Sequence, residues 1–113
     1  MPERYPGSFA IHRTLHRAVI AEQQARAFYR RMSEAYGARA PLPSLLSGSE
    51  KRLGWLMSTC QRHGAPAPVD TFGGEEMISG NWLDDCVRAV RGEERLARLY
   101  SLGLFQAGSP DIA

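Results

Sequence analysis

Proline placement limits this chain more than any other feature. The seven prolines sit at positions 2, 6, 41, 43, 66, 68 and 110. Proline lacks a backbone donor and clashes with the preceding helical turn, so it punctuates helices. Three long proline-free blocks remain, and each carries helical periodicity. The first predicts a helix over 8–36, capped by Ser8 and closed by Gly37. The second predicts a helix over 43–63, with Pro43 in its first turn and Gly64 and Pro66 ending it. The third predicts a helix over 81–105, with Asn81 as N-cap and Asp84 as a weak capping partner. The fold class expected is all-α: an up-down bundle of three long helices in one domain over 1–113.

The connections refine this. The short segment after Gly37 favours an antiparallel neighbour, whereas 64–80, with two prolines and four glycines, suits a crossover running the length of a bundle. Residues 75–78 could form one helical turn within it. Gly48 and Gly54 weaken the second helix by up to about 1 kcal/mol each and could mark close approach of another helix.

Each helix has an apolar stripe. On the first it runs Leu15, Ala18, Val19, Ala25, Tyr29, Met32 and Tyr36. On the second it reads Leu42, Leu46, Leu53, Met57 and Cys60, flanked by Leu45 and Leu56, and on the third Cys86, Ala89, Val90, Ala97, Tyr100 and Leu104. Glu22 is a misfit in the first stripe, since a buried carboxylate is costly unless paired, protonated or metal-bound. At about 100° per residue, Glu50 projects within roughly 40° of Leu46 and 60° of Leu53, at the edge of the second stripe. Glu93 lies near the centre of the third, between Val90 and Ala97; Glu94 is a neighbouring alternative further from that centre. Three carboxylates converging from three helices are how bundles build di-iron or di-manganese sites. Glu22, Glu50 and Glu93 are therefore the candidate metal ligands, with iron or manganese as the candidate cofactor. The competing account of each is a rim glutamate with its head in solvent.

These residues bring a family into view. Ala18-x-x-x-Glu22-x-x-Ala25-x-x-x-Tyr29 resembles the first helix of the ferritin-like superfamily, especially its rubrerythrin-type members. Residues 45–56, LLSGSEKRLGWL, are similar to the family's second helix, which carries Glu-x-x-His, and Ala89-x-x-x-Glu93 followed by Tyr100 resembles its third. Gly64-Ala65-Pro66 is similar to the Gly-x-Pro of a group of bacterial ferritin-like domains. The resemblance implies a ferritin-like bundle with a redox or metal-handling role. Two departures stand out. Leu53 occupies the position of the histidine in Glu-x-x-His, and no fourth helix follows the third. The resemblance carries over at most Glu22, Glu50 and Glu93 as ligands, and implies a fourth helix supplied by a partner or a second copy.

Other side chains are assigned less. His12 and His16, four apart, could form a metal pair, but a surface position is the preferred account. His63 suits the C-terminal dipole of the second helix. Cys60 and Cys86 form no Cys-x-x-Cys and have no base nearby in sequence; they read as free core thiols. Tyr29 and Tyr100 need hydroxyl partners when buried, and the glutamates could supply them in a metal-free polar network.

Composition excludes little but helps. The net charge of +2 does not call for nucleic acid, although 13 of the 14 basic residues are arginine. Arg13, Arg17, Arg26, Arg30 and Arg31 spread around the first helix as a solvated surface would. The start of the chain has no basic segment followed by an apolar run, and no window approaches the roughly 18 apolar residues of a membrane span. A cytoplasmic protein with reduced thiols is expected. The expectations for function are a metal-handling ferritin-like bundle, or a metal-free one serving as a structural or interaction subunit.

Overall fold

A computed structural model describes residues 6–72 and 78–104. They form α1 (Pro6–Tyr36), α2 (Leu42–Arg62) and α3 (Trp82–Arg98), the last continuing as a π-helical turn over Leu99–Leu104. No strand occurs among the described residues, so the all-α bundle expected from the proline spacing is the architecture observed. None of these helices is long and apolar enough to cross a membrane.

The helix ends follow local chemistry. Gly37 takes φ +78° after α1, and its N–H bonds Ser33 O at 2.8 Å. Such left-handed backbone suits glycine, which has no Cβ to clash. Gly64 does the same after α2 at φ +64°, and the Ala65 N–H reaches back to Cys60 O at 2.8 Å. Asn81 caps α3 by accepting the Asp84 N–H at 3.0 Å. α1 is helical from Pro6, two residues before the cap expected at Ser8. The turn expected at 75–78 lies mostly outside the described residues.

α1 is the spine. α2 and α3 each pack against it, and their own backbones stay apart, so that they meet only through side chains. Near one end, Leu15, Ala18 and Val19 meet Leu53, Leu56, Cys60 and Ala65. Near the other, Phe28, Tyr29 and Met32 meet Leu42 and Ala89. Each buried large side chain contributes roughly 1.5–3 kcal/mol. Beyond α2 the chain is tied to α1 by Gln23, whose Nε2 donates to Pro68 O at 3.0 Å, and by Arg26, paired with Asp70 at 2.5 Å.

Two stripes differ from their expected phase. On α2 the buried set is Leu42, Ser49, Leu53, Leu56, Thr59 and Cys60, while Met57 is 43% exposed. The buried face is rotated towards Ser49 and Leu56, and this turns Glu50 outward. On α3 the buried set is Asp85, Ala89 and Leu96, and Val90 is 59% exposed. The cause is common to both: the only long helix whose backbone each packs closely against is α1, so a narrower sector than the full apolar stripe is covered. Gly48 and Gly54 do not mark a helix crossing. A Cβ at Gly54 would meet nothing within 4 Å, and one at Gly48 only the end of the Arg52 side chain.

Candidate functional site

Glu22 is fully buried at the middle of α1. Three donors from the other elements converge on it. Ser49 Oγ, on α2, donates to Oε2 at 2.9 Å. Tyr100 OH, in the π-helical turn, donates to Oε1 at 2.6 Å. Arg52 Nε, three residues after Ser49 on the same face of α2, donates to that same oxygen. Arg52 then reaches across to α3, where its Nη2 meets Glu93 Oε2 at 3.0 Å. Tyr29 of α1 donates to that Glu93 oxygen as well. One guanidinium thus lies between two carboxylates from different helices, and two phenols complete the set.

The network is electrostatically consistent. Burial disfavours the charged form of Arg52, but its hydrogen bond to Glu22 and the charges of Glu22 and Glu93 outweigh this and hold its pKa above the usual value. Burial, then the hydrogen bond to Glu93, pushes the Tyr29 phenol far above its ordinary 10.0. Burial and the bond to Glu22 do the same to Tyr100. Both phenols are therefore held as donors. Two carboxylates against one guanidinium leave one formal negative charge, which the tyrosine and serine hydroxyls solvate.

Glu50, the third expected ligand, does not join this group. Its side chain is 48% exposed and faces Arg30 Nη2 at 3.4 Å on the outer surface. The rotation of α2 accounts for this. The inward positions three apart on α2 are Ser49 and Arg52. Leu53 has no atom that could serve as a ligand, and the histidines are engaged elsewhere or outward: His12 Nε2 lies 2.9 Å from His63 O at the end of α2, and His16 is exposed. As arranged, this donor set does not fit a di-metal centre. A cation placed between Glu22 and Glu93 would have to displace the Arg52 guanidinium, and no imidazole is present to complete its shell. Among the described residues no group of three or more His, Cys, Asp or Glu side chains could hold a metal ion.

Sequence reasoning missed Arg52 and Ser49. Their signal was present: a serine and an arginine three apart, next to the stripe that also contains Leu53 and Leu56. A second polar cluster was also missed. Asp85 is fully buried at the start of α3, accepting from Tyr36 OH at 2.5 Å and from the Ser79 N–H at 3.0 Å. Burial works to raise its pKa, but these bonds and Arg88 prevail and lower it.

Between α2 and α3, opposite α1, runs a trough of about 500 Å³. Leu45 lines one wall, Val90, Glu94 and Ala97 the other, and Met32 the floor. Glu93 also lines it, so the ion network opens into this trough. Comparisons with protein-family models, with curated proteins and with solved structures find no match to the chain.

Proposed function

We propose that this chain is a metal-free, ferritin-like helical bundle that serves as a structural or protein-interaction subunit. Arg52 is the observation that carries this reading. The inward pair on α2, Ser49 and Arg52, presents a hydroxyl and a fixed cation to the buried carboxylates, while Glu50 and Leu53, the positions that match Glu-x-x-His in the resemblance, supply them no ligand. The guanidinium takes the place between Glu22 and Glu93 that a metal would otherwise fill: it offsets one of the two carboxylate charges, and the Ser49, Tyr29 and Tyr100 hydroxyls solvate the other. Glu22 already accepts three hydrogen bonds, which leaves it little capacity as a general base.

The interaction half of the reading rests on α3. Leu83, Val87 and Val90 are 69%, 40% and 59% exposed. At 4-3 spacing they form a short exposed apolar seam, which ends at Glu94; Val90 and, further along, Ala97 also line the trough. A second copy of this chain, presenting the same seam about a two-fold axis, is its occupant.

Metal analysis of protein made without an affinity tag and loaded with iron should find no stoichiometric iron or manganese. Bound metal that disappears in Glu22→Ala or Glu93→Ala would overturn the metal-free half. Size-exclusion with light scattering should show a dimer that Val90→Arg converts to a monomer of unchanged helical circular dichroism. A wild-type protein that remains monomeric would remove the interaction half.

A further inference from the structure

On the opposite side of the α1–α3 contact from the trough lies a second cavity of about 490 Å³. We propose that it is a binding site for a small amphiphilic anion, an apolar body with a carboxylate head. The volume lies within the roughly 300–1,000 Å³ of small-molecule sites. Its floor is apolar, formed by Ala25 and Phe28 of α1 and Leu96 of α3. Its rim is basic: Arg88, Arg91 and Arg95 stand along one face of α3, and no Asp or Glu lines the cavity.

Three observations point to a ligand rather than a solvated surface. First, arginines spaced three and four apart on one helix face repel by a few tenths of a kcal/mol per pair, a cost that a bound anion reverses. Arg88 is held by Asp85 at 3.4 Å and lies over the Phe28 ring at 4.5 Å, which makes it a wall of the cavity. Arg91 and Arg95 make no ion pair with a described residue, so their forks can take a carboxylate. Second, apolar floor and cationic rim occur together, as a ligand with both characters requires. Third, Gly92 sits in the cavity lining in the middle of α3. Glycine there weakens the helix by roughly 0.5–1 kcal/mol. Packing does not demand it, because the nearest atom to a Cβ at this position would be Arg95 Nη2 at 4.0 Å. The missing side chain keeps the floor open.

The probe is dodecanoate, kept below its micellar concentration and compared with dodecanol by calorimetry at low salt. Dodecanoate should bind about tenfold or more tightly than dodecanol, since guanidinium contacts to a carboxylate favour the charged head. Arg91→Gln combined with Arg95→Gln should remove that preference and leave both ligands equally weak. Gly92→Leu should abolish binding of either ligand while raising the melting temperature, because it fills the cavity and improves helix propensity. Equal affinity for acid and alcohol in the wild-type chain would overturn the proposal. So would binding to anionic vesicles without binding to monomeric dodecanoate, and so would full binding by a folded Gly92→Leu.

Discussion

Arg52 has the largest predicted effect of any charged side chain. It is one-third exposed, yet one of its two partners, Glu22, is fully buried. Replacing it with leucine leaves two carboxylates facing each other without a counter-charge. Removing one partner of a buried ion pair is far costlier than exchanging the whole set for apolar groups. Arg52→Leu should therefore lose about 2–4 kcal/mol in urea unfolding, and adding Glu22→Gln on that background should restore much of it, because the amide removes the charge, its oxygen can accept from Tyr100 and its NH2 can donate to Ser49 Oγ. Additive losses from the two changes would mean that Arg52 and Glu22 act independently. The same residue marks the limit of reading a site from sequence. Glu22 declares itself as a misfit in a stripe. An arginine beside a stripe looks like any surface arginine until the helix phase is known to within tens of degrees.

At the scale of the element, α2 provides the sharpest discrimination. Met57 and Leu56 are neighbours in sequence, and an apolar pattern alone counts both as core. In the fold Leu56 is fully buried against α1, whereas Met57 is 43% exposed. Leu56→Ala should cost about 2–5 kcal/mol, the usual range for a cavity in a packed core. Met57→Ala should change stability by no more than about 0.5 kcal/mol. Comparable losses at both positions would place the α2 face where the sequence pattern put it and would bring Glu50 back inward. The helix limits themselves were legible. Gly37, Gly64 and Asn81 act as local signals whose meaning depends on backbone geometry alone. The phase of α2 and α3 was not legible, because it depends on how many neighbours each helix has.

For the molecule as a whole, tyrosine hydroxyls link α1 and α3 along their length. Tyr29 reaches Glu93, Tyr36 reaches Asp85, and Tyr100 reaches back to Glu22. All three phenols are shifted upward, Tyr29 and Tyr100 first by burial and Tyr36 first by its bond to Asp85. A phenol whose folded pKa exceeds its unfolded value contributes stability that is complete below that unfolded value, here 10.0. The contribution is lost as pH rises towards the folded value. Stability should therefore fall steadily above pH 10, and the tyrosinate absorbance of Tyr29 and Tyr100 should appear only together with loss of helical circular dichroism. Glu22→Gln should move the onset for Tyr100 to lower pH. Titration of both phenols near their ordinary value with the helices intact would contradict the network.

What the sequence determined by itself is the set of elements and one anomaly. Proline and glycine placement delimits three helices, because those residues act through their own backbone. The polarity of Glu22 marks an interior position that needs a partner. The tertiary structure alone decided which partner. Close backbone packing against α1 sets the rotation of α2 and α3, turns Glu50 to solvent and swings Arg52 inward, where it meets Glu93 of α3. It also leaves the trough and the basic cavity on opposite sides of the α1–α3 contact. Each outcome depends on side chains distant in sequence meeting at fixed angles, and periodicity within one helix does not carry that information.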